Sequence, residues 1–226
     1  MTAVAFIPAR KGSKRLPGKN TKLFHGKPLV QWSIDQAKDS KLFDNIVVSS
    51  DDEVVLELAQ KSNVLPVERH HALCTDEADM NDVVFDFFGR PANCCDYVCL
   101  LNPTHPLRTV KDIQQTYRFV KMKKYDSVVT VFWNDFLGWV EKASRAGTLA
   151  MYKIDERPTR ENRGNWYMEN GCIYWCKHGV IMATGTFIGN PAYVKLYEMP
   201  KERSLEIDDA FDWYLCEKAY EWGNKC

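Results

Sequence analysis

Short apolar runs alternate with amphipathic segments over the first 132 residues of the chain. The apolar runs predict strands at 4–9, 45–50, 64–67, 96–101 and 127–132. The segments between them have helical periodicity, which predicts helices at 27–38, 53–62, 81–88 and 110–123. This alternation predicts an α/β, Rossmann-like architecture, with a mostly parallel sheet and helices on both faces.

Ligands of such sheets bind beyond the carboxyl ends of the strands. The loops expected at that edge are 8–20, 49–52, 68–82 and 102–108, and they hold most of the unusual polar residues. We therefore expect the functional site among these four loops.

The periodic pattern breaks between 133 and 168, where Trp, Gly, Arg and Asn are mixed. We interpret this segment as an inserted β-rich arm that returns to the sheet at 171–175 and serves as a dimer element. The alternative is a long surface excursion. We expect one domain over 1–226, ending in an amphipathic helix at 209–222. The residues predicted to share one side of this helix are Phe211, Tyr214, Leu215 and Ala219.

Charge is balanced over the chain but unevenly placed. The first 27 residues hold seven Lys or Arg and no acid, and the remainder holds 23 basic and 30 acidic side chains. A protein with no net charge is not expected to bind nucleic acid through a basic surface, so this asymmetry indicates a local anion site. The sequence has no apolar run long enough for a membrane span and no signal-peptide pattern, which predicts a cytoplasmic protein.

The eight cysteines do not form a CxxC pair. In a chain of this length we interpret them as free thiols in a reducing compartment rather than as a disulfide framework or a zinc site.

The loop at 8–20 contains five cationic side chains directly after the first predicted strand. It is not a Walker A motif, because five residues separate Gly12 from Gly18 and Asn20 replaces Ser or Thr. A GxGxxG fingerprint is also absent. The loop is nevertheless typical of a phosphate-binding site, since a strand followed by a flexible cationic turn presents donors to an anion. The predicted phosphate donors are Arg10, Ser13, Lys14 and Lys19.

The segment Ile7-Pro-Ala-Arg-x-Gly-Ser-Lys-Arg-Leu-Pro-x-Lys-Asn20 resembles the signature of the acylneuraminate cytidylyltransferases. These are the CMP-sialic acid synthetases and their relatives acting on legionaminic and pseudaminic acids. Further segments resemble motifs of this family in the same order along the chain. They are Gly26-Lys27-Pro28-Leu29, Val47-Val48-Ser49-Ser50-Asp51-Asp52, Arg69 with Leu73-x-Thr75-Asp76, Leu101-Asn102-Pro103-Thr104-x-Pro106-Leu107-Arg108, Tyr125-Asp126-Ser127-Val128, Glu169-Asn170-Gly171-x-Ile173-Tyr174 and Ser204-x-Glu206-Ile207-Asp208.

The resemblance implies a fold of the nucleotide-diphospho-sugar transferase type, a homodimer, and transfer of CMP from CTP to the hydroxyl of a nonulosonic acid with release of pyrophosphate. It implies that Arg10 and Lys19 are catalytic contacts to the triphosphate, with Ser13 and Lys14 beside them. The other nucleotide contacts that it implies are Asn20, Arg69 and Thr75.

A phosphoryl-type substitution needs a divalent cation, Mg²⁺ or Mn²⁺, to neutralise charge on the α-phosphate and the leaving pyrophosphate, and hard cations prefer carboxylate oxygen. The predicted ligands are Asp208 and Glu206, whose spacing of two in an extended segment puts both carboxylates on one side. The family usually has Asp-Ile-Asp at these positions, so Glu206 is a departure.

The resemblance also implies a sugar-binding set, and this part of the chain departs most from the family. Its members are Asn102, Arg108, Arg160, Asn170 and Phe187. Phe187 has a core position as its alternative. His70, His71 and His105 are interpreted as structural rather than catalytic.

Two other functions remain open from the sequence. One is a Kdo-type cytidylyltransferase, although the loop at 102–108 lacks the acidic residue expected for it. The other is a catalytically weak homologue that binds CTP or a CMP-sugar, which the Glu206 departure favours.

Overall fold

A computed structural model describes residues 1–134, 139–141, 147–149, 156–159, 162 and 166–223. The strands are β1 (Ala3–Pro8), β2 (Leu23–Phe24), β3 (Lys27–Pro28), β4 (Asn45–Ser50), β5 (Leu65–Glu68), β6 (Tyr97–Leu101), β7 (Ser127–Trp133), β8 (Trp139–Glu141), β9 (Gly147–Leu149), β10 (Tyr167–Lys177) and β11 (Val194–Glu198). The helices are α1 (Leu29–Ser40), α2 (Glu53–Lys61), α3 (Met80–Phe88), α4 (Val110–Val120), α5 (His178–Thr184) and α6 (Ala210–Gly223). Short 3₁₀ turns lie at His71–Leu73, Pro91–Asn93, Pro191–Tyr193 and Lys201–Arg203.

Seven strands form one sheet in the order β11-β7-β10-β6-β1-β4-β5. The pairs β1–β4, β1–β6, β4–β5 and β7–β11 are parallel, whereas β10 runs antiparallel to both β6 and β7. The predicted mostly parallel sheet is confirmed, and β10 is the strand that brings the chain back after the segment at 133–168.

Successive side chains of β1 point to opposite faces of the sheet. Ala5 and Ile7 pack in a core with residues of α1, α2 and α4, while Val4 and Phe6 pack in a second core with residues of α3 and α5. All six residues of β1 are buried, as expected of a central strand covered on both faces. Helices on both faces of the sheet are therefore confirmed.

The first helix begins later than predicted because a small hairpin precedes it. β2 and β3 pair antiparallel, and the two residues between them, His25 and Gly26, have φ values of 46° and 79°. Two consecutive residues with positive φ are typical of the tight turns that join hairpin strands. The sequence prediction also missed α5 and β11.

The buried face of α6 differs from the predicted one. Phe211 and Tyr214 are 66% and 54% exposed, whereas Trp213 and Cys216 are buried in a third apolar cluster with Phe24. Because large apolar residues occupy most of the circumference of this helix, periodicity does not select a face. Packing against the β2 segment decides it.

Most of the predicted arm at 133–168 lies outside the described residues. Within it, β8 pairs antiparallel with β9. The predicted role of this segment in a dimer stays a prediction.

Cysteines 74, 94, 95, 99, 172, 176 and 216 are free thiols, as the sequence predicted for them. The described part of the chain also brings together no group of three or more His, Cys, Asp or Glu side chains suited to a metal ion. None of its helices has both the length and the apolar character needed to cross a membrane.

A buried guanidinium holds the loop after β6 in place. Arg108 is 2% exposed, and its Nε donates to Gln36 Oε1 of α1 at 2.8 Å. Its Nη1 donates to the carbonyl oxygens of Asn102, at 3.1 Å, and Cys172, at 2.8 Å, and its Nη2 donates to Ser33 Oγ. Arg108 therefore joins α1, the loop at 102–108 and β10. This arrangement gives Arg108 a structural role, and its contact with the sugar stays a prediction.

Replacing Arg108 with Met is expected to lower the free energy of unfolding by about 2–4 kcal/mol, since each buried acceptor left without a donor costs about 1–3 kcal/mol. The variant no longer has the free-energy cost of burying a charged guanidinium, which offsets part of this loss. Urea unfolding measures the change. The control is Arg118→Met on the exposed side of α4, expected within about 0.5 kcal/mol of wild type. Equal values for the two variants would contradict the structural role of Arg108.

Candidate active site

A cavity of about 550 Å³ lies beyond the carboxyl ends of β1, β4 and β6. This is the edge at which the sequence predicted the site. Its lining residues are Pro8, Arg10, Ser13, Lys14, Arg15, Lys19, Asn20, Arg69, Asp76, Met80, Asn102, Pro103, Thr104, Glu206 and Asp208. Five of them are cationic and three are acidic, so the cavity is suited to a polar, anionic ligand.

The loop after β1 is anchored to the core at its far end. The side chain of Leu16 is buried in the third apolar cluster, and Asn20 Nδ2 donates to the carbonyl oxygen of Arg10 at 3.0 Å. The backbone nitrogen of Val30, on α1, donates to the carbonyl oxygen of Asn20. These contacts hold a loop whose cationic side chains line the cavity.

Asp208 receives two of these cations. Lys19 Nζ donates to Asp208 Oδ1 at 3.1 Å and to the carbonyl oxygen of Ile207 at 2.7 Å. Arg15 Nη2 donates to Asp208 Oδ2 at 2.7 Å. The side chain of Lys19 is 10% exposed, whereas that of Arg15 is 68% exposed.

Asp76 contacts the other two loop cations that line the cavity, Arg10 and Lys14. Its Oδ1 lies 2.5 Å from Arg10 Nη2 and its Oδ2 lies 2.5 Å from Lys14 Nζ. Hydrogen bonds from Lys14 and then Arg10 lower the pKa of Asp76, and the same contact raises the pKa of Lys14.

Glu206 and Asp208 line the same cavity, and Ile207 between them is buried in the third apolar cluster. Thr104 Oγ1 donates to Glu206 Oε1 at 3.2 Å. Desolvation in the cavity, followed by the charge of Asp208, raises the pKa of Glu206. Mg²⁺ in proteins is often held by one or two carboxylates together with phosphate oxygens of the substrate, so this pair fits a divalent cation that arrives with a polyphosphate.

Arg69 follows β5, lines the cavity and bonds to the end of the neighbouring strand β4. It is 6% exposed; its Nη2 donates to the carbonyl oxygen of Ser49 at 2.9 Å and its Nε to Ser49 Oγ at 3.2 Å. Desolvation lowers the pKa of Arg69. Because these bonds fix the guanidinium, it presents donors to a ligand in one orientation.

Asn102 is positioned by an irregularity in β10. The pairing of β10 with β7 shifts between Glu169 and Tyr174, and Asn102 Nδ2 donates to the carbonyl oxygen of Gly171 in this bulge at 2.7 Å. Gly171 has a φ of 72°, and an added Cβ would lie 3.3 Å from the Cε1 atom of His105. Glycine is suited to this position for both reasons.

Asn170 holds the bulge from inside. It is 5% exposed, its Oδ1 accepts from the backbone nitrogen of Cys172 at 3.0 Å and from Thr130 Oγ1 at 2.7 Å, and its Nδ2 donates to Ser204 Oγ at 2.9 Å. Its amide is thus used within the protein.

The structure brings most of the predicted site residues together. Those lining the cavity are Arg10, Ser13, Lys14, Lys19, Asn20, Arg69, Asn102, Glu206 and Asp208. Arg108 and Asn170 are buried in the supporting hydrogen-bond network instead. Phe187 is 5% exposed in the second core with Phe6, so its alternative as a core residue is the one observed. Thr75 is exposed and does not line the cavity, and Arg160 lies outside the described residues.

The family model for cytidylyltransferases matches residues 4–162. The chain belongs to the cytidylyltransferase family. This cytidylyltransferase is 33% identical, over 98% of its length and 97% of the relative's, to the CMP-N,N'-diacetyllegionaminic acid synthase of Legionella pneumophila. It is 31% identical to the N-acylneuraminate cytidylyltransferase A of Danio rerio, covering 95% of this chain and 50% of that protein. The chain thus spans about half the length of the second relative.

Solved structures share its fold. The CMP:2-keto-3-deoxy-manno-octonic acid synthetase in complex with CTP has a TM-score of 0.70 and 16% identity, with 100% of both chains covered. The 4-diphosphocytidyl-2C-methyl-D-erythritol synthase of Anaerococcus prevotii has a TM-score of 0.70 and 10% identity, with 97% of this chain and 98% of that chain covered. At these identities the likeness concerns the fold alone.

The sequence interpretation of this cytidylyltransferase left out three polar residues of the cavity. Arg15 lies in the cationic run but was not singled out as a donor. Asp76 and Thr104 lie in segments that resemble family motifs, yet their contacts join loops that are distant in the chain. The run of basic residues could have identified Arg15 as a further donor. The positions of Asp76 and Thr104 in the cavity required the tertiary structure.

His105 supports the loop from below the cavity. It is fully buried, and desolvation followed by the charge of Arg108 lowers its pKa to about 3. Its Nδ1 lies 3.1 Å from Thr104 Oγ1. His105 is not among the residues that line the cavity, and its structural role stays a prediction.

The low pKa of His105 predicts a loss of stability in acid. Between about pH 6.5 and 3 the unfolded chain binds a proton at this residue and the folded protein does not, so the free energy of unfolding falls by up to about 1.4 kcal/mol per pH unit as pH decreases. His105→Gln is expected to reduce this slope in urea unfolding between pH 7 and about 4. His71→Gln, at an exposed position, is the control and is expected to keep the wild-type slope. Identical slopes for all three proteins would contradict the prediction.

Proposed function

We propose that this cytidylyltransferase transfers CMP from CTP to a hydroxyl group of a nonulosonic acid, forming a CMP-sugar and releasing pyrophosphate. The observation that carries the proposal is the arrangement of charge in one cavity. Four cations of the loop after β1, Arg10, Lys14, Arg15 and Lys19, line it together with the carboxylates of Glu206 and Asp208. Cations in this number suit a triphosphate, and paired carboxylates suit the metal ion that accompanies it.

The reaction is a substitution at the α-phosphorus of CTP. The acceptor oxygen forms a bond to this phosphorus, the bond to the bridging oxygen breaks, and pyrophosphate leaves with the electron pair. The acceptor proton passes to water. Arg10 and Lys19 would stabilise negative charge on the phosphate oxygens, since catalysis of phosphoryl-type transfer rests on positioning and electrostatic stabilisation. Ser13 and Lys14 would contact the same chain of phosphates.

Glu206 and Asp208 would hold Mg²⁺ or Mn²⁺. A bound divalent ion would neutralise charge on the α-phosphate and on the leaving pyrophosphate. For this arrangement Asp208 has to give up at least part of its contacts to Arg15 and Lys19, and these cations then become available to phosphate oxygens.

Different residues of the cavity would recognise the nucleoside part of CTP and the acceptor sugar. Arg69 and Asn20 would contact the nucleotide, and Asn102 would face the acceptor. A nonulosonic acid is favoured over Kdo as acceptor because the relatives with 33% and 31% identity are named for legionaminic and neuraminic acids, whereas the Kdo synthetase shares 16% identity.

We also propose a homodimer, in which the segment at 133–168 contacts the second copy, and a cytoplasmic location. The resemblance to the acylneuraminate cytidylyltransferases supports the dimer. The free thiols support a reducing compartment.

The function is tested by pyrophosphate release from CTP with Mg²⁺ and a panel of sialic, legionaminic, pseudaminic and Kdo acids. We expect release that depends on one of the nonulosonic acids and on CTP rather than ATP. Release with Kdo alone would favour the Kdo-type alternative. CTP binding without release for any acid would favour a binding protein.

Asp208→Asn is expected to lower kcat by about 100-fold or more, since loss of one group that stabilises the transition state typically costs 10²–10³ in rate. The matched control is Asp86→Asn, which removes a carboxylate paired with Arg90 on the surface of α3. Steady-state kinetics over a range of Mg²⁺ concentrations measures both variants. An Asp208→Asn enzyme with the activity of the control would show that Asp208 is not a ligand of the metal.

A further inference from the structure

Asp76 holds two cations of the phosphate-binding loop with one carboxylate. Its two oxygens lie 2.5 Å from Arg10 Nη2 and 2.5 Å from Lys14 Nζ. The carboxylate itself lines the cavity. It therefore occupies the donors that the proposed function assigns to the phosphates of CTP.

Carboxylate and phosphate oxygens compete for the same donors of Arg and Lys. The contacts of Asp76 are suited to exchange, because the side chain of Lys14 is 82% exposed and those of Arg10 and Asp76 are 34% and 31% exposed. Ion pairs this exposed contribute little net free energy, so a polyanion can displace the carboxylate.

Asp208 and Asp76 have different roles once phosphate has displaced them from their cations. Asp208 lies beside Glu206, and the two carboxylates are the proposed metal ligands. Asp76 is not one of the proposed metal ligands. Its negative charge stays near the bound phosphates, where it opposes them.

We propose that Asp76 is a positioning residue that exchanges with phosphate during each turnover. It holds Arg10 and Lys14 in place while the cavity is free of phosphate, gives them up to CTP, and takes them back as pyrophosphate leaves. This inference rests on the proposed function for the identity of the two anions. Asp76 therefore weakens the binding of CTP and pyrophosphate and speeds product release.

The test is calorimetric titration of CTP and of pyrophosphate into Asp76→Asn, Asp76→Glu and Glu77→Gln. Glu77 is the matched control, because it is the next residue, is exposed and carries the same charge. In Asp76→Asn we expect the Kd of pyrophosphate and of CTP to fall by about 3- to 10-fold at low salt, with a smaller difference at high salt. Asp76→Glu restores the carboxylate and is expected within about twofold of wild type, as is Glu77→Gln.

Steady-state kinetics gives a second measurement. Asp76→Asn is expected to have a lower KM for CTP, a lower inhibition constant for pyrophosphate, and an equal or lower kcat. If Asp76 only maintained the fold, its substitution would weaken the binding of CTP and pyrophosphate and lower the melting temperature.

Three results would overturn the proposal: weaker binding of pyrophosphate by Asp76→Asn, unchanged binding, or equal tightening in Glu77→Gln. Failure of the proposed function has a different signature. In that case wild type shows no CTP-dependent turnover, whether or not it binds CTP, whereas the effect of Asp76 on pyrophosphate binding is still measured. Wild-type protein that binds neither anion would count against both.

Discussion

The buried guanidinium of Arg108 is the contact on which the geometry of the cavity depends. It bonds α1, the carbonyl of Asn102 and the carbonyl of Cys172, three segments that are separate in the sequence. The loop at 102–108 and the bulge of β10 are thereby held together, and the bulge in turn fixes the side chain of Asn102. A charge buried among neutral oxygens is costly unless its donors are satisfied, so the network tolerates few alternatives.

The charged side chains of the cavity form two groups, each with one carboxylate paired to two cations. Asp208 contacts Arg15 and Lys19, and Asp76 contacts Arg10 and Lys14. Internal pairing allows the cations of one short loop to lie close together before a ligand binds, because like charges at this distance repel. The same pairing makes the loop responsive to a polyanion. Each group has one strongly exposed cation, Arg15 or Lys14, and Lys19 is the most buried of the four.

Much of the architecture was predictable from local pattern. The predicted strand at 45–50 has the observed bounds, and the helix predicted at 53–62 differs from α2 by one residue. The alternation of Glu206, Ile207 and Asp208 correctly put both carboxylates in one cavity, with the isoleucine in the core. The hairpin before α1 and the buried face of α6 were not predictable, since a two-residue strand has no period and α6 is apolar on most sides.

The sequence by itself determined the layered α/β arrangement, the edge of the sheet at which the site lies, and the cationic character of the loop after β1. These properties follow from periodicity and from charge along a short stretch of chain. Only the tertiary structure decided that Asn102 lines the cavity while Arg108 and Asn170 lie in the hydrogen-bond network behind it. It also decided that Phe187 lies in the second core and that Asp76 pairs with Arg10. Each of these outcomes depends on contacts between residues far apart in the chain, and side-chain type alone does not specify which polar groups find partners inside the protein.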